Sequence, residues 1–506
     1  MELLINLFCF LLLLFLALVA REQNKWRGKK LPPGPWRLPF LGSMHHLYGG
    51  AASSPLRRLR DLAQKYGPLM HVQLGQVCAV VVSSPDMAKS VLKTHDLAFA
   101  SRPKMLLADI VSYNSSDIVF CPYGDYWRQM RKICVVEVLS TRNVQGFSTI
   151  RRQEVSRLLD FIRLSGGRPV NLTEKVFQFT SSMTCRSAFG CVFKEQDEFI
   201  ALIKEVLILL GGFDVADIFP SLKFLHGLSG MKRKILRVHN RIDAIVENVI
   251  GDHRRQKKTL TAGKKVDTGG SEDLIDVLLR MMDTHDGFQF PITIQNVKAI
   301  VFDLFTAGTE TSSTTVVWAM VEMLRNPSIL AKAQAEVRQA FKGDFNEEDV
   351  EDLKYLKLVI KETLRLHPPS PLLIPRECRE ETEINGYKIP PKTWVLVNVW
   401  SISRDPAYWD HAESFLPERF ENSSIDFSGN NFEFLPFGGG RRICPGMSFG
   451  LANVILPLAK LLFHFDWELP QEPQYSKGLD LTESSGITAG KKDDLYLVAT
   501  PYNPMI

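Results

Sequence analysis

Apolar residues recur three and four positions apart in five stretches, Phe199–Leu210, Leu236–Ile250, Asp273–Met282, Ile294–Arg325 and Leu353–Leu366. That spacing places them on one face of a helix, and each stretch is predicted helical. Alternation at Leu69–Leu74, Ala79–Val82, Glu383–Ile389 and Trp394–Val399 predicts strands. The apolar run Met447–Phe465 predicts a further helix. The balance is a mainly α fold with minor β near each end. One apolar block differs from the rest: Leu3–Ala20 is interrupted only by Asn6. A membrane-spanning helix needs roughly 20 such residues. A signal peptide begins with positive charge, whereas here Glu2 precedes the block and the positive charge follows it, at Arg21, Lys25, Arg27, Lys29 and Lys30. We expect an anchor with its basic flank on the cytoplasmic side. A cleaved signal peptide ending near Ala20 is the alternative.

Residues 1–20 are thus expected to form a transmembrane anchor, 21–35 a basic flank and proline-rich spacer, and 36–506 one folded domain. The spacer contains Pro32-Pro33-Gly34-Pro35, and proline stiffens an extended chain. Arg254–Glu272 is rich in Lys, Arg, Gly and Thr and lacks apolar period, so it is expected to be a solvated surface loop inside the domain. Composition is that of a globular protein, 45% hydrophobic and 23% charged. A net charge of +5 without a basic, aromatic-studded stripe gives no reason to expect nucleic-acid binding. The eight cysteines are scattered, with no C-x-x-C pair, which speaks against a disulfide scaffold or a zinc finger.

One cysteine stands in a chemically informative setting, Phe437-Gly-Gly-Gly-Arg-Arg-Ile-Cys444-Pro-Gly446. Glycines let backbone approach a flat ligand closely, and Pro445 suits the first turn of the helix that follows. A thiol there meets free N–H groups and the positive end of a helix dipole, which favour the thiolate. A second unusual segment is Ala307-Gly308-Thr309-Glu310-Thr311-Ser312, a cluster of poor helix formers inside the long helical stretch. Hydroxyls there can bond backbone carbonyls and open the helix. Glu362 and Arg365 form an i,i+3 opposite-charge pair, and Trp127 and Arg131 place two donors one turn apart.

The cysteine segment resembles the ligand loop of cytochromes P-450, F-x-x-G-x-R-x-C-x-G, with Phe437, Gly440, Arg442, Cys444 and Gly446 in place. The resemblance implies a single cytochrome P-450 fold and haem b, with Cys444 as axial iron ligand and Phe437, Gly438 and Gly446 in the cofactor loop. Arg442, Trp127, Arg131 and Arg376 would meet the haem propionates. Thr311 and Glu310 match the family's oxygen-activation motif and imply a hydroxyl beside dioxygen with an acidic proton-relay partner. Glu362, Arg365 and Arg419 resemble the E-x-x-R and P-E-R-F elements, whose role is structural. The stretches Tyr66–Met70, Phe99–Pro103 and Cys121–Trp127 are similar to the plant microsomal A-type branch, especially terpenoid and some alkaloid hydroxylases.

That likeness implies an NADPH- and O2-dependent monooxygenase in the endoplasmic reticulum membrane, single-pass, with its catalytic domain facing the cytoplasm. Electrons would come from a separate NADPH-dependent reductase, with Arg128, Lys132 and Arg441 as a basic docking surface. A hydrophobic substrate, sesquiterpene-like, would be lined by Phe302, Phe305, Ala307, Leu373, Ile374 and Ile487, within a pocket drawn from Met105–Phe120, the Ser370–Ile374 loop and the Ser485–Thr488 turn. The alternatives are the same chemistry on an alkaloid or phenolic, a haem-thiolate isomerase or dehydratase needing no reductase, and a ligand carrier without turnover.

Overall fold

A computed structural model describes residues 30–47, 54–190, 193–210, 215–221, 230–262, 273–284, 287–343, 345–472, 479–484 and 486–502. The expected anchor and most of the basic flank lie outside them. Leading into the domain, α1 (Pro55–Tyr66) starts with Pro at its first position and the Ser54 side chain accepting from the Leu56 amide. Strands β1 (Leu69–Leu74) and β2 (Val77–Val82) follow, then helices α2 (Asp125–Ile133) and α3 (Ser148–Leu164). The two-residue β3 (Val170–Asn171) leads into α4 (Leu172–Phe189). Next come α5 (Gln196–Leu210), α6 (Met231–Ala262), α7 (Leu274–Thr284) and α8 (Ile294–Arg325). The chain continues through α9 (Pro327–Ala340), α10 (Lys354–Leu366), β4 (Arg376–Glu377), β5 (Thr382–Ile384), β6 (Tyr387–Ile389) and β7 (Trp394–Val397). It ends with α11 (Met447–His464), β8 (Phe465–Glu468) and β9 (Tyr496–Pro501).

The strands form sheets in the orders β1-β2-β7-β4, β3-β9-β8 and β5-β6. The first is mixed: β2 runs antiparallel to β1 and parallel to β7, in the register Ala79 opposite Trp394. Both of its faces are covered. Leu69, Val80 and Val82 pack into one apolar cluster and Met70, Val72, Ala79 and Val81 into another. Helix α8 is the axis of the helical part and packs against α4, α10 and α11. Its start is fixed by a capping box in which Thr293 and Asn296 bond each other's backbone amides.

Several element boundaries differ from expectation for identifiable reasons. Glu383–Ile389 is not one strand but the hairpin β5-β6, turned at Asn385-Gly386 with φ of 51° and 78°. Two consecutive left-handed residues are what a type I′ turn requires, and Asn-Gly meets that need. The strand expected to reach Val399 stops at Val397, because the Asn398 side chain accepts from the Ser401 amide and starts a short helix. Asp273 caps α7 rather than belonging to it, its carboxylate accepting from the Asp276 amide. The expected surface loop 254–272 is helical through Ala262 as the end of α6. Helix α4 escaped the sequence reading because its buried residues include Thr180, Ser181, Thr184 and Ser187, which erase the apolar stripe. Helix α11 is long and apolar enough to cross a membrane, but over half of it is buried inside the domain.

The proline segment is not a free spacer either. Pro33 accepts from the His71 amide on β1 at 2.9 Å, and the Lys30 carbonyl accepts from the Lys388 amide on β6 at 2.8 Å. A Cβ at Gly34 would lie 1.9 Å from the His71 carbonyl oxygen. Only glycine lets the chain lie this close to the sheet.

Candidate haem-thiolate site

The cysteine loop lies between β7 and α11 and is held by its own backbone. The Cys444 amide donates to the Phe437 carbonyl at 3.0 Å, and Phe437 packs edge-on against Phe427. Gly438 and Gly440 have φ of 71° and 67°, and a Cβ at Gly440 would lie 2.1 Å from the Leu92 carbonyl oxygen. Gly438 and Gly440 thus have separate causes: a left-handed turn at both, and close approach of a neighbouring segment at Gly440. Gly446 caps α11, and its amide bonds the Cys444 thiol. Burial nevertheless pushes that thiol up, outweighing the Gly446 amide and the Arg131 guanidinium, which pull it down. The helix-end effect expected from sequence is present but is not the larger one. Coordination to a metal deprotonates a thiol outright.

Around this loop the structure gathers four guanidiniums. Arg442 donates to the carbonyls of Ala100, Ile118 and Cys121 at 2.8, 3.2 and 2.6 Å and lies 4.1 Å over the Trp127 ring. The Trp127 indole N–H donates to the Ile118 carbonyl. Arg131 donates to the Ile443 carbonyl, next to the cysteine. Arg376 bonds the Asp96 carboxylate at 3.1 Å and the Gly439 carbonyl at 2.9 Å. The fourth, Arg102, was not singled out from sequence, although it lies in the quoted Phe99–Pro103 stretch. It is buried and donates to the carbonyls of Val119, Ile374 and Pro375. Burial, followed by mutual repulsion, lowers Arg102 well below its ordinary value and Arg442 to about 9. Such concentrated buried cation, satisfied mostly by carbonyls, is suited to an anionic group carrying more than one carboxylate.

Glu362 and Arg365 are both fully buried on α10. Their two hydrogen bonds measure 2.7 and 2.8 Å, and Arg365 also donates to the carbonyls of Ser403, Ala412 and Ser414. Arg419 and the Leu416 amide both donate to the same Glu362 oxygen. The ion pair that spacing alone would place on a solvated face is therefore the knot that ties residues 403–419 to α10.

On α8, most residues are buried, but Ala307 is exposed and Thr306, Gly308, Glu310 and Thr311 are partly so. In a helix running through the core, accessible small residues border internal space. Gly308 also serves packing: a Cβ there would meet Phe449 of α11 at 3.3 Å and Thr184 of α4 at 3.5 Å. The Thr311 hydroxyl donates to the Ala307 carbonyl at 2.6 Å. Burial raises the Glu310 carboxyl, while the Thr488 hydroxyl and Lys204 pull it down. Ile374 and Ile487 join one apolar cluster with Met105 and Phe120, and Leu373, at φ 52°, lies against the Gly438 position. Phe302 and Phe305 stand apart from these. Both are buried in the helical core, and Phe305 is stacked on Phe189 and set edge-on to Phe199. The structure thus joins Ala307, Leu373, Ile374 and Ile487 to accessible or partly buried surfaces, but places the two phenylalanines in packing. On the outer side of the cysteine loop, Arg441 is half exposed beside Asp96, and Arg128 pairs with Asp125.

A thiol at a helix start, buried guanidiniums facing inward and an opened core helix fit an iron macrocycle with acidic arms. The sequence pattern of the cytochrome P450 family matches residues 32–489. The chain is a cytochrome P450. It is 69% identical over 505 residues to premnaspirodiene oxygenase of Hyoscyamus muticus, covering 99% of this chain and 98% of that one. It is 65% identical over 505 residues to 5-epiaristolochene 1,3-dihydroxylase of Nicotiana tabacum, with the same coverage. A zebra fish cytochrome P450 solved with abiraterone superposes with a TM-score of 0.74 at 25% identity, over 89% of this chain and 99% of that one. This P450 is therefore an oxidoreductase, a haem b monooxygenase that draws electrons from NADPH through a reductase and uses dioxygen. Family membership also brings a hydrophobic substrate.

Proposed function

We propose that this P450 hydroxylates a sesquiterpene-like hydrocarbon at an unactivated or allylic carbon. The observation that carries the proposal is the 69% and 65% identity to two enzymes whose names, oxygenase and dihydroxylase, are attached to premnaspirodiene and 5-epiaristolochene. The apolar surroundings of Ile374 and Ile487 support it, since a hydrocarbon has no charge to anchor and is positioned by shape.

In this reading Cys444 supplies the sulfur ligand, and Arg442, Arg131, Arg376 and Trp127, with Arg102 beside them, hold the two carboxylates of the macrocycle. Phe437, Gly438 and Gly446 shape the loop against its face. When bound, the haem activates dioxygen, placing one oxygen atom in a C–H bond and releasing the other as water. The chain's part is to deliver protons and exclude water. Thr311 offers a hydroxyl on the accessible stretch of α8. Glu310, its carboxyl raised by burial, can hold and pass a proton. Residues 1–20 anchor the enzyme in the endoplasmic reticulum membrane with the domain on the cytoplasmic side, where Arg128, Lys132 and Arg441 meet an NADPH-dependent reductase. The test is a microsomal assay with reductase and a panel of terpenes, alkaloids and phenolics, read by mass spectrometry. Efficient oxidation of phenolics or alkaloids and not of terpenes would overturn the substrate reading. Product formed without NADPH would overturn the monooxygenase step in favour of isomerisation or dehydration.

A further inference from the structure

The segment Asp117–Cys121 crosses between α8 and the arginine set, and its two edges do different work. Its carbonyls face the cations: Ile118 accepts from Trp127 and Arg442, Val119 from Arg102, and Cys121 from Arg442. Its amides face two carboxyls. The Ile118 amide donates to Asp303 of α8 at 2.9 Å, and the Phe120 amide donates to Asp117 at 3.0 Å. Asp117 is fully buried and Asp303 is 4% exposed. The second oxygen of Asp117, Oδ1, has no ordinary hydrogen-bond partner, and the Asp117 carboxyl has the Asp303 carboxyl within hydrogen-bond reach, besides the amides of its own segment. Two acceptors held together out of water repel unless a proton lies between them.

We infer that Asp117 and Asp303 share one proton, and that this pair is a positioning device that locks residues 117–121 against α8 and thereby fixes Arg442 and Trp127. The inference rests on the reading that those two residues hold the carboxylates of the cofactor. Burial raises both carboxyls, and Asp303, raised further by Asp117, is the one that keeps the proton. The other groups facing the pair are Arg102, Arg442, Cys121, Cys134 and Tyr126. Burial pushes both thiols and the phenol up, so they stay protonated. Arg442, lowered to about 9, is the facing cation whose charge has to be kept constant, so the pair's loss of its proton is read below that pH. The folded protein keeps a proton that an unfolded chain gives up at ordinary carboxylate pH. The pair's contribution to stability thus falls as pH rises above that range, and levels off once the proton is gone.

The experiment follows transfer of haem from the full-length holoenzyme to excess apomyoglobin between mildly acidic and mildly alkaline pH, kept below the Arg442 value of about 9. In the unaltered enzyme, haem loss should accelerate by up to about tenfold per pH unit, the slope of one proton, and then level. Asp303→Asn supplies an N–H to Asp117 that does not titrate, so its haem loss should stay slow and flat across the range. Asp117→Asn, which donates in the opposite direction, should behave the same way. Asp303→Ala should lose haem fast at every pH. A pH step that survives in both asparagine variants would overturn the proposal. So would its absence from the unaltered enzyme, a result that requires no variant to fold. Failure of the underlying site reading looks different: the unaltered enzyme would lack a thiolate-type carbon monoxide band even at neutral pH.

Discussion

On the cysteine side of the pocket, functional side chains are held by backbone. Arg442 makes three bonds to carbonyls, Arg365 makes three besides its pair with Glu362, and the Cys444 amide closes its own loop onto Phe437. On the apolar side, Leu373 and Ile374 come from one loop and Ile487 from another, and all three are held by contact with other apolar residues. Hydrogen bonds demand one residue type at one position, whereas apolar packing tolerates any side chain of about the right volume. The first arrangement suits a fixed cofactor and the second a substrate that changes between relatives.

The largest expected break in this contrast is Cys444→Ala. It should abolish hydroxylation and the thiolate-type carbon monoxide band, and a retained band would refute sulfur ligation. Next is Arg365→Leu, which removes the two-bond partner of the buried Glu362 and leaves it only Arg419 and the Leu416 amide, both on one oxygen. That should cost about 3–5 kcal/mol, seen as a lower thermal midpoint and poor haem content. Thr311→Ala should keep haem content but lower product per NADPH by about 10²-fold, the lower end of what a positioned proton donor contributes. An unchanged ratio would remove the hydroxyl from proton delivery. The smallest change is on the apolar side: Ile487→Ala should alter the position of hydroxylation while changing turnover by about tenfold, the lower end of the roughly 10–200-fold that small changes in an apolar pocket are worth. Loss of all activity there would mean that the apolar side is as exacting as the cysteine side.

The same contrast explains what could be read from the chain. The cysteine loop was legible because Gly440 and Gly438 answer to backbone geometry that few residues satisfy. Helix α8 is legible in its apolar periodicity, which gives Ile294–Arg325, and the structure adds the Thr293 cap that fixes its start. Phe302 and Phe305 enter the substrate set only through the family resemblance, and in the structure helical rotation turns Phe305 toward Phe189 and Phe199. An apolar residue near a pocket and one in the core look alike in sequence. Arg102 was passed over because a lone arginine has no local partner to signal burial; its acceptors at Ile374 and Pro375 are 272 and 273 residues away. The Asn385-Gly386 turn is itself a sequence signal, and the apolar positions change phase across it, from Ile384 to Tyr387 and Ile389.

The close seating of Gly34 against His71 has a mechanical consequence. Because Pro33 and Lys30 are bonded to β1 and β6, whatever precedes Lys30 leaves the domain from a fixed mooring and not from a swivel. If residues 1–20 lie in a bilayer as proposed, the distance from bilayer to Lys30 is bounded by the reach of residues 21–29, at most about 3.3–3.6 Å for each. Shortening that stretch should therefore tilt or lower the whole body on the bilayer, moving its openings relative to the lipid, before it detaches anything.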